Sequence, residues 1–267
     1  MAAVVQLRRF SSSEDRTLYQ QYLALKYEVF VAEQGWTTLA HPSGQPIARE
    51  EPFDEQGQLC LASTPDGDAV GVVRGIALSR GFPHRELLEH HLRRAEVQTM
   101  WAQLCTLNAL AVLPSYRRKM CEAAGLGWKG SVAKLLMLFA IEQMELRGLK
   151  AALATAGGVA STRLCRSLGF HVIDAPTRAA HLHPGIIVTN IGMVFGSPAH
   201  QQAQQDCGMR LDTVLRPLAE DSVRLLGYFE GREAEVLGAK GIDELIHEQA
   251  AAQRPPLPGS QPISPRR

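Results

Sequence analysis

The stretch from residue 104 to residue 148 constrains the fold more than any other part of the sequence. Residues 104–113 form an apolar run that predicts a β-strand, and Pro114 ends it. Across residues 132–144, apolar side chains recur three and four positions apart, which predicts a long helix that buries one face. Gly148 closes this helix. A strong strand followed by a strong helix predicts an α/β unit.

The connection between this strand and this helix predicts an anion site. Three cations follow the strand, three glycines then leave the next turn without side chains, and a serine precedes the helix. Main-chain N–H groups at the positive end of a helix bind phosphate, and neighbouring cations add charge-assisted hydrogen bonds. The alternative interpretation is a solvated basic turn. The predicted phosphate-binding residues are Arg117, Arg118, Lys119, Gly125, Gly127, Gly130 and Ser131.

The same glycines match the G-x-G-x-x-G pattern of dinucleotide-binding folds, but their surroundings do not. In those folds the first glycine directly follows the strand, whereas eleven residues separate Leu113 from Gly125. The next predicted strand, residues 150–156, ends without an acidic residue for a ribose hydroxyl. Lys129 is followed by glycine, so the segment is not a Walker loop either. The sequence therefore favours a phosphate site over a nicotinamide-dependent enzyme.

The remaining patterns complete an α/β (α+β) order of elements that includes an early antiparallel hairpin. An amphipathic helix is predicted around residues 18–29 and ends at Gly35. Strands are predicted at residues 59–62, 69–73, 150–156, 172–173 and 186–195. A short helix is predicted at 161–168, with Gly169 as its stop, and further helices within 84–98 and 205–250.

Composition excludes several classes of function. Lys+Arg 28 against Asp+Glu 27 gives a net charge of +1, which indicates no surface for nucleic acid or anionic membranes. The five cysteines include no C-x-x-C pair, and none lies near His90 and His91, so no metal site or disulfide framework is predicted. No apolar run reaches the roughly 18 residues of a membrane span. Arg8 and Arg9 interrupt the N-terminus before a signal peptide could form, so we expect a cytoplasmic protein.

Three segments, in this order along the chain, resemble the GNAT superfamily of acyltransferases. Residues 27–36 (YEVFVAEQGW) are similar to the first helix of several members. Residues 110–119 (LAVLPSYRRK) resemble the central strand and the start of the pyrophosphate loop, and residues 164–170 (LCRSLGF) resemble the closing element. The resemblance implies a GNAT fold, with a mixed, mostly antiparallel, splayed sheet flanked by helices. We place this domain at 1–200. Outside the resemblance, the sequence pattern predicts a helical extension over 201–252, and the prolines predict a disordered tail over 253–267.

The resemblance also implies an N-acyltransferase. An acyl group would pass from a phosphopantetheine thioester, carried by acyl-CoA, acetyl-CoA or acyl carrier protein, to the amine of a small molecule. The amine would attack directly within a ternary complex, and a homodimer is left open. Main-chain groups of Leu110, Ala111 and Val112 would pair with the pantetheine arm, and a strand N–H would stabilise the oxyanion. The alternative is a catalytically silent GNAT fold that serves as a ligand-binding or assembly protein.

The donor loop departs from the usual family pattern. Five residues, 120–124, are inserted between the cations and Gly125. A branch that includes acyl-homoserine-lactone synthases and N-acyl amino acid synthases also has altered loops here. In the lactone synthases the first helix carries Arg, Phe and Trp at spacings that Lys26, Phe30 and Trp36 reproduce. The donor is therefore left open between CoA and a carrier protein.

The match to the lactone synthases is partial. Their acidic stretch resembles residues 51–54 (EPFD), and their following arginine resembles Arg74. Their Glu and Arg on the central strand fall on Thr106 and Ala109, so their substrate recognition is not predicted for this chain.

Three side chains are candidates for catalysis. Cys165 stands where the family often has a tyrosine acid, and a thiol with a pKa of about 8.5 could protonate a leaving thiolate. The alternative for Cys165 is a small buried hydrophobe. Asn108, with Thr106, could hold a water, and Glu51 is the nearest acidic candidate for a base together with Asp54. Glu51 could equally belong to a solvated acidic loop, and a neutral amine needs no strong base.

Overall fold

The computed structural model describes residues 2–179, 186–209 and 217–238, with residues 240, 244, 245, 247, 248 and 251 beyond them. The helices of these residues are α1 (Arg16–Lys26), α2 (Pro52–Gln56), α3 (Glu89–Leu92), α4 (Ala95–Thr99), α5 (Val132–Glu145), α6 (Gly158–Arg166), α7 (Pro198–Asp206) and α8 (Glu220–Leu237). The strands are β1 (Ala3–Phe10), β2 (Gln58–Ser63), β3 (Ala69–Ala77), β4 (Leu104–Val112), β5 (Met120–Ala123), β6 (Lys129–Ser131), β7 (Ala151–Gly157), β8 (His171–Val172), β9 (Thr177–Arg178) and β10 (Ile187–Val194).

The strands form one open sheet with the order β6-β5-β1-β2-β3-β4-β7-β10-β8, and β9 pairs with β10. Neighbouring strands are antiparallel except for β1 with β5 and β4 with β7, which are parallel. The predicted α+β class and the mixed, mostly antiparallel sheet are therefore confirmed. None of the described helices is long and apolar enough to cross a bilayer.

The two faces of the sheet bury different helices because side chains alternate along each strand. On one face, α5 packs its apolar side against residues such as Cys60, Val73 and Cys105. On the opposite face, α1 packs against Leu59 and Leu61, the neighbours of Cys60 in β2. The strand β4 therefore lies at the centre of the sheet with a helix layer on each side.

The N-terminus and the connection before α5 differ from the sequence prediction. Residues 3–10 were not predicted as a strand, yet they form β1 beside β2. The connection predicted as a glycine loop is a β-hairpin, in which β5 pairs with β1 on one side and with β6 on the other. Cys121 and Ala123 are buried while Met120 is exposed, a strand alternation too short to recognise among cations and glycines. The five inserted residues therefore extend the sheet rather than lengthen a loop.

The helices after β10 pack onto the sheet. Leu225 and Phe229 of α8 are fully buried beside Leu153 and Val194 of the neighbouring strands β7 and β10. Part of the helix prediction for 205–250, including Leu211, Val214 and Leu215, lies outside the described residues, as does the tail 253–267. The proposed boundaries at residues 200 and 252 stay predictions.

Candidate functional site

The parallel strands β4 and β7 stop pairing with each other in the middle of the sheet, and we call the unpaired stretch between them the cleft. The two strands pair only at Leu104 with Ala151 and at Cys105 with Ala152. Both strands continue beyond this point, β4 to Val112 and β7 to Gly157, without pairing to each other. Over this length β4 therefore presents main-chain N–H and C=O groups that have no strand partner on the β7 side in the described structure.

A β-bulge shapes the β4 wall of the cleft. Val72 of β3 pairs with Ala111 and Arg74 pairs with Asn108, so two steps along β3 face three steps along β4. Ala109 occupies the bulge with a φ of 53°, a left-handed conformation that is uncommon outside glycine. Such a bulge bends the strand and redirects its main-chain groups, which is why bulges are frequent beside active sites.

Charged side chains form a buried cluster on the face of the sheet that carries α1. Asp54 accepts hydrogen bonds from the hydroxyls of Tyr19 (3.0 Å) and Tyr22 (3.2 Å), and it also pairs with the guanidinium of Arg74. Glu51 pairs with Lys26 at 2.6 Å and with Arg74 at 3.2 Å. Two cations and two carboxylates thus neutralise each other, which allows Lys26 and Arg74 to be almost completely buried.

The charge cluster bears on the predicted role of Glu51 as a base. Burial alone would raise the pKa of Glu51, but the neighbouring cations Lys26 and Arg74 more than offset it and hold the pKa below its ordinary value. A carboxylate of lowered pKa is a weak proton acceptor. The contacts of Glu51 are those of a structural ion pair rather than those of a general base.

Asn108 connects the charge cluster to the cleft. It lies on β4 immediately before the bulge at Ala109, and Arg74 donates from Nε to its side-chain oxygen Oδ1 at 2.7 Å. The Nδ2 group of Asn108 is shielded from solvent and has no hydrogen-bond partner among the described residues. The predicted neighbour Thr106 is buried on the same strand.

This architecture is similar to that of several solved structures. No family model matches the sequence, and no curated protein matches it. The solved structures it resembles include the CoA-dependent acyl-homoserine lactone synthase BjaI with MTA, at 16% identity and a TM-score of 0.56 over 83% of this chain and 99% of that one. They also include TofI in a complex with an inhibitor and MTA, at 16% identity and a TM-score of 0.55 over 77% of this chain and 97% of that one. The AHL synthase LasI follows at 12% identity and a TM-score of 0.51, over 79% of this chain and 98% of that one.

The chain has the GNAT fold. Within this fold the predicted central strand is β4, and the predicted pantetheine partners Leu110, Ala111 and Val112 lie on it just after the bulge. Ala111 also pairs with β3. The carbonyl of Val112 is already occupied, because Arg117 donates to it from Nε at 2.9 Å.

The three predicted cations have different surroundings in this GNAT fold. Arg117 forms a two-pronged ion pair with Glu33, at 2.6 and 2.5 Å. Glu33 is the last residue of the π-helical segment Tyr27–Glu33, which continues α1. Lys119 places its ammonium 4.2 Å from the centre of the Tyr116 ring. Arg118 is exposed and forms no ion pair with a described residue. Arg118 is therefore the cation of this group that can most readily turn to a phosphate.

The predicted glycines do not form one continuous cradle. Gly125 and Gly127 have φ values of 75° and 70° and lie at the exposed tip of the β5–β6 hairpin. Gly130 lies within β6 opposite Cys121, so its main chain belongs to the sheet. Ser131 caps α5 as predicted, accepting a hydrogen bond from Lys134 N at 3.3 Å. Phosphate binding by these residues stays a prediction.

Cys165 lies in the hydrophobic core rather than at a solvent-filled site. It is buried on α6 together with Leu168 and Phe170. Burial raises the pKa of its thiol to about 12. A thiol of that pKa donates a proton uphill to a leaving thiolate, whose pKa is about 8.5. These observations favour the packing alternative for Cys165.

We expect Cys165→Ala to leave the release of free thiol from acetyl-CoA within about twofold of the unsubstituted protein, because a core thiol takes no part in proton transfer. The substitution is expected instead to lower the free energy of unfolding by about 1 kcal/mol, as measured in a urea titration. A loss of thiol release of about a hundredfold, the effect of removing a general acid, would contradict this assignment.

A second polar cluster lies on the side of the sheet covered by α8, and sequence analysis did not find it. His90, His91 and Asp174 bring ligand-type atoms within 4.8 Å of one another beside a cavity of about 590 Å³. Both ring nitrogens of His91 are already bonded, Nδ1 to the Tyr228 hydroxyl at 2.6 Å and Nε2 to Asp174 at 2.7 Å. The guanidinium of Arg232, 3.3 Å from Asp174, opposes a metal cation there. The cluster therefore links α3 to α8, through the contacts of His91 with Tyr228 and of Asp174 with Arg232.

Proposed function

We propose that the protein is an acyltransferase that moves an acyl group from a phosphopantetheine thioester to the amine of a small molecule. One observation carries the proposal, the opening between β4 and β7 beside the bulge at Ala109. An extended pantetheine arm, with its two amide groups, can take the place of the missing strand and pair with main-chain groups of β4. The GNAT fold of the chain supports the same assignment.

The reaction that fits this cleft is a direct attack. The neutral amine adds to the thioester carbonyl carbon, the C=O electron pair moves onto oxygen, and a donor on β4 stabilises the oxyanion. Collapse of this intermediate breaks the C–S bond, and the leaving thiolate takes up the proton that the amine releases. The described residues of β4 carry no carboxylate that could act as a base, so the amine enters in its neutral form.

The donor we propose to test first is an acyl-CoA. BjaI, which the chain resembles in fold, is described as CoA-dependent. An acyl carrier protein presents the same phosphopantetheine arm and is the second candidate. The acceptor we propose is a small amine. The substrate recognition of the lactone synthases is not carried over to it, because Thr106 and Ala109 stand where those proteins have charged residues on the central strand.

Thermal unfolding of the full chain with a set of ligands tests the donor. We expect CoA and its thioesters to raise the melting temperature increasingly with concentration, because a ligand that binds only the native state stabilises it. The set contains CoA, acetyl-CoA, a long-chain acyl-CoA, an acyl-loaded carrier protein and NAD. The absence of a shift with every thioester would refute the proposal, and a shift with NAD alone would favour a dinucleotide enzyme.

Thiol release separates an enzyme from the catalytically silent alternative. We expect free thiol to appear from the bound thioester when a panel of primary amines is added. A thioester that stabilises the protein but is never consumed with any amine would favour a ligand-binding protein.

Arg118→Ala tests the phosphate site. We expect about a tenfold loss of affinity for CoA in calorimetry, since one charge-assisted hydrogen bond is removed. Arg93→Ala is the control, because Arg93 is another exposed arginine, just after α3 and outside the predicted phosphate site. Equal affinities in the two variants would place the phosphates away from Arg118.

A further inference from the structure

The side chain of Asn108 has a fixed orientation. Its Oδ1 accepts a hydrogen bond from Arg74 Nε at 2.7 Å, so a rotation that exchanged Oδ1 and Nδ2 would set two donors against each other. Arg74 itself cannot move away, because its guanidinium is held by Glu51 and by Asp54. The charge cluster therefore directs the Nδ2 group of Asn108 away from Arg74.

The Nδ2 group is a hydrogen-bond donor without a protein partner. It is shielded from solvent, and no described residue accepts a hydrogen bond from it. Leaving a buried amide donor unpaired is costly, and such exceptions call for an explanation such as a ligand. Asn108 is the last residue of β4 before the bulge, at the wall of the cleft where β4 has lost its pairing with β7.

We propose that Asn108 forms the subsite for the acyl carbonyl, with Nδ2 donating to the carbonyl oxygen of the bound thioester. This inference rests on the proposed function. When the amine nitrogen bonds to the carbonyl carbon, the C=O pair becomes an oxyanion that accepts the same hydrogen bond more strongly. The pair returns as the C–S bond breaks and the thiolate leaves with the proton of the amine. Arg74 is a positioning residue, since it acts only by orienting the amide.

Acetyl-CoA and CoA differ in the acyl group that this subsite would hold, so their affinities compared by calorimetry test the proposal. We expect the unsubstituted protein to bind acetyl-CoA about tenfold more tightly than CoA, the effect of one hydrogen bond in a buried site. Asn108→Ala is expected to abolish this preference while keeping the affinity for CoA. Asn108→Asp is expected to reverse it, because its carboxylate still accepts from Arg74 but offers the carbonyl oxygen no donor.

Gln58→Ala provides the matched control. Gln58 is a buried amide on β2 that donates to Phe10 O at 3.1 Å, and its Oε1 is also unpartnered. Its removal perturbs a buried amide outside the cleft, so the ratio of the two affinities should stay at the unsubstituted value. Arg74→Lys is expected to reduce the ratio as well, and a ratio does not respond to a general loss of stability.

The outcomes separate this inference from the proposed function. If the unsubstituted protein binds neither CoA nor acetyl-CoA, the proposed function fails. If it binds both, but equally, or if Asn108→Ala and Asn108→Asp keep the preference for acetyl-CoA, the donor function stands and the subsite at Asn108 is refuted. The subsite is supported if the preference is lost in Asn108→Ala, reversed in Asn108→Asp and reduced in Arg74→Lys, but unchanged in Gln58→Ala.

Discussion

Replacing Asp54 with alanine is expected to lower the free energy of unfolding by about 3–5 kcal/mol, because it leaves a buried cation uncompensated. Asp54 is fully buried and pairs with Arg74, which is itself 2% exposed. Without Asp54, Glu51 is the remaining carboxylate of the cluster and must serve both Arg74 and Lys26. The hydroxyls of Tyr19 and Tyr22 also lose their shared acceptor.

Urea unfolding of the full chain measures this effect, and the surface supplies a control. Glu50→Ala removes the partner of Arg16 in an ion pair of the same kind at 2.9 Å, but both of its side chains are more than half exposed. We expect that variant to change stability by less than about 1 kcal/mol. Equal losses in the Asp54 and Glu50 variants would show that the buried cluster is not a structural support.

Replacing Gly169 with alanine is expected to destabilise the fold by about 3 kcal/mol or more, which only a few mechanisms achieve with a single methyl group. Gly169 has a φ of 93° and lies just after α6, within the closing element 164–170. A Cβ there would lie 2.6 Å from the main-chain nitrogen of His200 and 2.8 Å from the carbonyl carbon of Ala199. Main-chain atoms of α7 cannot rotate aside as a side chain can, so the helix must shift.

Gly44→Ala measures the conformational strain of a positive φ alone, so its comparison with Gly169→Ala gives the steric part of this effect. Gly44 also has a positive φ, of 75°, but a Cβ there would meet nothing within 4 Å. Alanine at Gly44 should therefore cost about 1 kcal/mol, the strain of the left-handed conformation alone. Thermal and urea unfolding of both variants gives the comparison. A Gly169→Ala variant no less stable than Gly44→Ala would mean that α7 does not pack against α6 as described.

Local patterns were sufficient to predict the centre of the fold. The apolar run of β4, the helical spacing of α5, the cap at Ser131 and the stop at Gly169 each depend on neighbouring residues in the sequence, and each is confirmed. The resemblance to the GNAT superfamily then implied a splayed sheet with helices on its faces. The separation of β4 and β7 follows that prediction.

The site depends on contacts that no local pattern records. Asp54 and Arg74 are 20 residues apart, and His91 and Asp174 are 83 apart, so each pair forms only when the sheet is complete. The bulge at Ala109 was not predicted because alanine is not a residue that favours a positive φ. The β5–β6 hairpin was missed because its alternating pattern lasts four residues within a segment rich in glycine and cations. The buried pairs, the bulge and the hairpin all depend on long-range packing.

The unpaired edge of β4 can tolerate amino-acid substitutions without losing its main-chain hydrogen-bonding groups. A ligand that replaces a strand is recognised through main-chain amides and carbonyls, which every residue type except proline supplies in full. Substitutions along such an edge alter the cleft's lining while leaving its hydrogen-bonding frame intact. A chain built in this way can share a fold with BjaI over 99% of that protein at only 16% identity.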